Sequence, residues 1–305
     1  DLEAVASDLA GKHNSKPFRV AARLEEKSPQ TLSSTSVQPD SAPGRWRQER
    51  LNGRLFADIL VPITGGSGGW DALELALTVA HQERSRILGL HLVAPTAQKE
   101  SQAVRALKAE FQWRCQAAGI PGELAIDTGK VVAKICERAR WADLIVMYPA
   151  NPPGSKLASR LTSGSRNVIY GSCRPVLTVP GPAARLERVL LAYDGSPKAR
   201  EGLYVAAYLA GRWGVWLVVT TIIETEADTG KLAEARRYLA SHEVTATYVP
   251  GQGDVTEAIL RIATQQASDL IIIGGYGVRA YREAILGSKV DRILREAKRP
   301  VLICR

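Results

Sequence analysis

The chain has 305 residues and is short of several things that point to common functions. It has four cysteines, four histidines, three phenylalanines and one methionine, and no run near the ~18 apolar residues of a membrane span. The missing runs predict no membrane-spanning helix within these residues. Cys115, Cys136, Cys173 and Cys304 lie far apart without a C-x-x-C pair or a neighbouring histidine pair, so neither a zinc site nor a disulfide framework is expected. That usage suits a reducing cytosol. No G-x4-G-K-[ST] segment occurs and no magnesium carboxylate pair is evident, which disfavours a P-loop ATPase. The scarcity of phenylalanine leaves no stacking platform for nucleic acid.

Charge does not revive that reading. The net charge of +9 divides as +1 over residues 1–50, +5 over 51–182 and +3 over 183–305, spread rather than patched. At 45% hydrophobic and 23% charged residues, the composition is that of a globular protein. The first residue is Asp1 rather than methionine and no signal-peptide layout follows, so a processed product or a piece of a longer protein is expected.

Residues 27–50, rich in Ser, Pro, Gln and charge and lacking an apolar period, read as a linker. From Phe56 onward short β-branched runs alternate with amphipathic stretches, the signature of βα units on a parallel sheet. The pattern occurs twice: ADILVPIT (57–64) answers to RVLLAYD (188–194), and RILGLHLV (86–93) to VWLVVTTII (215–223). GELAIDT (122–128) then matches VTATYVP (244–250), ADLIVMY (142–148) matches SDLIIIGG (268–275), and RPVLTVP (174–180) matches RPVLICR (299–305). This is an internal duplication. The expected division is a leader and linker over 1–50, one α/β domain over 51–182 and a second over 183–305, each with five strands and four helices. The last helix of the first copy is expected to start at Ser165. Ligands of such folds lie beyond the carboxyl ends of the strands.

The fourth strand of the second copy ends in Gly274-Gly275-Tyr276-Gly277, and nine residues later Gly287-Ser288 opens a helix. A glycine-rich turn at a strand end lets backbone amides approach a phosphate, and a helix start adds partial positive charge. Asp194, at the end of the first strand of this copy, can accept hydrogen bonds from ribose hydroxyls or an adenine edge. Each residue also has a purely structural reading. Glycines after strands form turns, Ser288 is good helix-capping chemistry, and Asp194 in D-G-S-P can cap the helix that follows. Arg279 and Arg282 read as solvated helpers near any phosphate, His91 as a satisfied packing residue, and no Ser/His/Asp set can be assembled.

Taken together, these residues resemble the universal stress protein family over about residues 56–305, as two tandem copies. The resemblance implies flavodoxin-like domains that form a pseudo-twofold pair. It also implies ATP bound through G-x2-G-x9-G-[S/T] and a strand-one Asp, a pattern filled here by Gly274, Gly277, Gly287, Ser288 and Asp194. AMP or another adenine nucleotide is the alternative ligand. A residue at the end of strand two is implied to contact adenine through its backbone; alignment makes it Ile222, with Thr221 the alternative.

In the first copy Asn151 stands at the first glycine position and Thr64 at the Asp position, while Gly154, Gly164 and Ser165 survive. This copy is expected to bind ATP weakly or not at all. The family likeness further implies antiparallel pairing of the fifth strands, Pro175–Pro180 against Pro300–Arg305, within one chain or in a homodimer. A regulatory role is expected rather than an enzymatic one, in the cytoplasm or at the inner face of the membrane as the tail of a fused transporter or channel. A slow ATPase or phosphoryl- or adenylyl-transferring enzyme, with Asp194 and Glu283 as loose candidates, and a non-binding scaffold are the competing readings.

Overall fold

A computed structural model describes residues 53–93, 101–182, 184–276 and 288–305. The expected leader and linker lie outside them, as do Gly277, Arg279, Arg282, Glu283 and Gly287.

Ten strands form one sheet: β1 (Asp58–Pro62), β2 (Arg86–Val93), β3 (Gly122–Thr128), β4 (Leu144–Met147), β5 (Val176–Thr178), β6 (Arg188–Ala192), β7 (Trp216–Ile222), β8 (Ala246–Gly251), β9 (Leu270–Gly274) and β10 (Val301–Cys304). Their spatial order is β3-β2-β1-β4-β5-β10-β9-β6-β7-β8, so each half has the same internal order. Every pairing is parallel except the central one, where Val176, Leu177 and Thr178 lie antiparallel to Ile303, Leu302 and Val301. The fifth-strand pairing implied by the family likeness is therefore present within one chain.

The helices are α1 (Ser67–Glu83), α2 (Gln102–Ala117), α3 (Val131–Arg138), α4 (Leu157–Leu161), α5 (Gly164–Gly171), α6 (Pro197–Trp213), α7 (Thr229–Ser241), α8 (Val255–Gln265) and α9 (Lys289–Glu296). They cover both faces of the sheet. Ile59, Val61, Val189 and Leu191 point into one apolar layer with α1, α2, α6 and α7, while Leu60 and Leu190 point into the other with α3, α5, α8 and α9. Alternate strand residues go to opposite faces, so each run must be apolar throughout. Each buried Leu or Ile contributes about 1.5–3 kcal/mol by leaving water.

Local chemistry sets the helix starts. Ser196 caps α6, accepting from Ala199 N at 3.1 Å, and Pro197 supplies a first helical residue with no amide to satisfy. Gly214 ends that helix at φ 69°. Two details differ from the sequence reading. The one-turn helix α4 was not expected, and α5 starts at Gly164 with Ser163 as its cap rather than at Ser165. Ser163 wins because its Oγ reaches Arg166 N at 3.2 Å, which leaves Ser165 within the first turn.

A buried carboxylate joins the halves on the α1/α6 side. Glu83, 2% exposed near the end of α1, accepts from Leu55 N at 2.8 Å and from Trp213 Nε1 at 2.7 Å, and the Tyr208 hydroxyl lies 2.9 Å from it. None of the described helices is long and apolar enough to cross a membrane.

Candidate functional site

Strands β9, β6 and β7 are neighbours, so their carboxyl ends open onto one edge of the sheet. Asp194 follows β6, Ile222 closes β7, and Gly274 closes β9. Ser288 caps α9, whose first residue, Lys289, reaches Glu224 just beyond β7. The structure thus brings together the four described residues that the sequence singled out in this half.

Asp194 is exposed. Its Oδ1 accepts from Ser196 N at 2.9 Å across Gly195, whose φ of +74° is the left-handed conformation that the turn needs. Oδ2 has no hydrogen bond among the described residues. Its predicted role as the cap of α6 is not realised, since Ser196 does that work.

The turn after β7 is held by Asp228, which accepts from Thr225 N at 2.7 Å and Glu224 N at 3.0 Å and pairs with Lys231. Lys231 and these amides hold the Asp228 carboxyl far below the usual carboxylate range. The Lys231 stem packs over Gly195, so a cation stands beside the Asp194 turn. Lys289, at the start of α9, reaches Glu224 at 3.4 Å. Thr221, the alternative to Ile222, is buried and donates its hydroxyl to Tyr193 O at 2.8 Å, whereas Ile222 is half-buried at the strand end.

Gly274 and Gly275 are needed by close packing. A Cβ on Gly274 would sit 3.0 Å from Ala199 N and 3.1 Å from Lys198 C. One on Gly275 would sit 2.7 Å from Cys304 O, which already accepts from Gly275 N at 2.6 Å. Beyond them, Lys198 Nζ donates to Tyr276 O.

Ser288 caps α9 by accepting from Val290 N at 3.0 Å, and Asp291 completes the capping box. Asp291 also accepts from the Tyr276 hydroxyl at 2.6 Å. Sequence reading missed Asp291 and Tyr276 as a pair. The S-x-x-D spacing from Ser288 to Asp291 was the available signal for the carboxylate.

In the first half the matching positions diverge. Thr64 and Gly65, with φ +81°, occupy the places of Asp194 and Gly195. Leu144 lies opposite Ile59 in β1 just as Leu270 lies opposite Val189 in β6, so the residue one beyond the end of β4, Tyr148, takes the place of Gly274. This corrects the assignment of Asn151 to the first glycine position, because spacing to Gly154 and Gly164 could not reveal a loop longer by three residues. The ring of Tyr148 lies on Gly68 in the first turn of α1. Asn151 instead accepts from Ser163 Oγ at 2.6 Å. Gly154 is crowded by Ser159 and its carbonyl accepts from Arg160 Nε at 3.3 Å, while Ser165 is buried and its Oγ has no hydrogen bond among the described residues. The loop is filled by its own helix α4.

His91 has its Nδ1 2.7 Å from Ile63 O, in keeping with a packing role.

A parallel sheet in each half, covered by helices on both faces, defines a flavodoxin-like α/β protein. Residues 227–305 match the family model described as Universal stress protein family. The chain is 34% identical over 134 residues to the "Universal stress protein in QAH/OAS sulfhydrylase 3'region" of Thermus aquaticus, a match covering 38% of this chain and 97% of that one. Against the universal stress protein Slr1230 of Synechocystis it is 26% identical over 168 residues, covering 53% of this chain and 58% of that relative's length. A universal stress protein from Archaeoglobus fulgidus, known by crystal structure, superposes with a TM-score of 0.69 at 22% identity, covering 83% of this chain and 97% of that one. The chain belongs to the universal stress protein family.

Proposed function

We propose that residues 183–305 form a universal stress protein domain that binds an adenine nucleotide, ATP in the first instance, in a regulatory rather than a catalytic role. Residues 51–182 are its tandem partner with a degenerate site. The observation that carries this reading is the convergence of Asp194, Ile222, Gly274 and Ser288 on one edge of the sheet. The donor set fits the ligand. The second carboxylate oxygen of Asp194 would accept from ribose hydroxyls, and the backbone carbonyl at Ile222 from the adenine amine. The positive end of α9, with Lys289 and Ser288 beside it, supplies the field that triphosphate requires. Gly277 and Gly287 complete the motif in sequence. Bound ATP would present a polyanion and a purine ring for these residues to recognise.

The first half supports the contrast. Tyr148 stands where Gly274 lies, Thr64 where Asp194 lies, and α4 fills the loop that carries Gly154, Gly164 and Ser165. The same reading places the protein on the cytoplasmic side, with self-association as a homodimer or the intramolecular pseudo-dimer as its assembly, and a fused transporter or channel as its setting. An upstream gene sequence encoding hydrophobic helices tests the fusion.

Calorimetry with ATP, AMP and cyclic-di-AMP on the wild type and on Asp194→Ala tests the site. Stoichiometric ATP binding that Asp194→Ala weakens supports it, and no binding of any nucleotide overturns it. Release of labelled phosphate in the same samples would point to an enzyme instead.

A further inference from the structure

We propose that Arg166, a residue of the first half, is a positioning residue for the nucleotide site of the second half, holding Tyr276 and Ser288 in place through the carboxylate of Asp291. This rests on the nucleotide-binding reading above and adds to it a specific path by which one half acts on the other.

Asp291 lies in the first turn of α9 and is 2% exposed. Its Oδ1 accepts from the Tyr276 hydroxyl at 2.6 Å, and its Oδ2 lies 3.5 Å from Ser288 N. One buried carboxylate therefore ties the residue just before segment 277–287 to the residue just after it. A carboxylate out of water needs a compensating charge. Among the described residues that charge is Arg166, whose Nε is 3.5 Å from Asp291 Oδ1 and whose guanidinium carbon stands 5.2 Å above the Tyr276 ring. Arg166 is itself 6% exposed, so the pair is shielded from solvent and salt.

The arginine is placed by its own half. Its backbone N–H is capped by Ser163 Oγ at 3.2 Å, and that hydroxyl donates to Asn151 O at 2.6 Å. The Tyr170 ring, one turn further along α5, lies 6.3 Å from that of Tyr276. Loop 151–163 of the first half thus sets where the guanidinium sits, and the guanidinium sets the charge balance of the group that clamps Tyr276 and Ser288. Lys198, which donates to Tyr276 O from the start of α6, holds the same tyrosine from the second half. Arg166 touches no ligand in this scheme. It acts through Asp291.

A plain packing role for Arg166 would change stability and leave ligand affinity alone, so both are measured on the full chain. Calorimetric titration with ATP is compared for the wild type, Arg166→Gln, Arg166→Lys, Tyr276→Phe and the Arg166→Gln/Tyr276→Phe double variant. Hydrogen exchange of the amides at 288–291 is followed without nucleotide. The expected result is an affinity about tenfold weaker for Arg166→Gln, partly recovered by Arg166→Lys because the charge is kept. Tyr276→Phe weakens binding in the same sense, and the double variant loses less than the product of the two single losses because both act through Asp291. Exchange at 288–291 is about tenfold faster in Arg166→Gln. ATP affinity of Arg166→Gln within about twofold of wild type, with unchanged exchange, overturns the proposal. If Arg166→Gln does not fold, Tyr276→Phe decides, and an unchanged affinity there overturns it. If the wild type binds no ATP, the nucleotide reading fails on its own. The exchange comparison, which needs no ligand, then decides whether Arg166 holds Ser288 in place.

Discussion

The ring of Tyr148 rests on Gly68, so closely that a Cβ on the glycine would sit 2.4 Å from Tyr148 Cγ. In the second half the sizes are exchanged: Gly274 lies against Lys198 and Ala199 at the start of α6, with the bulk on the helix and none on the strand end. Each half fills the same junction between its first helix and fourth strand, but only the second leaves the strand end bare.

This exchange predicts a change of sign. Gly68→Ala should destabilise the protein by about 1–3 kcal/mol through overpacking, although alanine is the better helix former by about 1 kcal/mol. In a Tyr148→Ala background the same substitution should stabilise. Urea denaturation of the four members of the cycle measures it, and a cost that persists without the ring would show that the clash is not with Tyr148.

Gly274→Val should lower stability by about 1–3 kcal/mol, since its Cβ would press on the backbone at Ala199 N and Lys198 C, which cannot rotate away. It should also abolish ATP binding, because relief of that clash moves the end of β9 relative to Asp194. Calorimetry at a temperature where the variant remains folded separates the two effects.

Glu83→Ala should cost about 2–4 kcal/mol by leaving Trp213 Nε1, the Tyr208 hydroxyl and the Leu55 amide without their acceptor. Glu83→Gln should cost less, because the carboxamide oxygen retains part of the acceptor set. Burial, with Glu83 close by, pushes the Tyr208 phenol up to about 12. Ultraviolet titration should therefore find it ionising after the exposed tyrosines in wild type and earlier in Glu83→Ala.

Acid should weaken the fold through Asp228. Its carboxyl is held low by Lys231 and by the Thr225 and Glu224 amides, so its folded value lies below the unfolded value of about 3.9. A depressed acid contributes stability that is full above the unfolded value and is lost as pH falls through the folded one. The wild-type melting temperature should drop between about pH 4 and pH 2, and Asp228→Asn should start lower and fall less steeply. Parallel curves for the two proteins would assign acid sensitivity to other carboxylates, of which Asp127 and Asp254 are also held low by backbone amides.

The thiols should differ in reactivity. Cys173 is exposed, whereas burial pushes Cys115 up to about 11 and raises Cys304 as well. The thiolate is the reactive form. At pH 8 a disulfide reagent should label Cys173 first, and Cys115 and Cys304 only on unfolding, as peptide mass spectrometry can follow. Early labelling of Cys304 would mean that β10 opens locally.

Much of this protein was legible in its sequence because the information is local. Apolar runs such as LIVM at 144–147 and LIII at 270–273 announce strands buried on both faces, and their recurrence at similar spacing announces two copies of one fold. The positions of Asp194, Gly274 and Ser288 at strand ends and a helix start follow from the same pattern. The tertiary structure decided what depends on register and on the meeting of the halves. Spacing alone put Asn151 at the first glycine position, and the pairing of β4 with β1 put Tyr148 there. Arg166 and Asp291, 125 positions apart, carry no sequence signal of their contact. They meet because β5 and β10 pair antiparallel and turn α5 of one half toward α9 of the other.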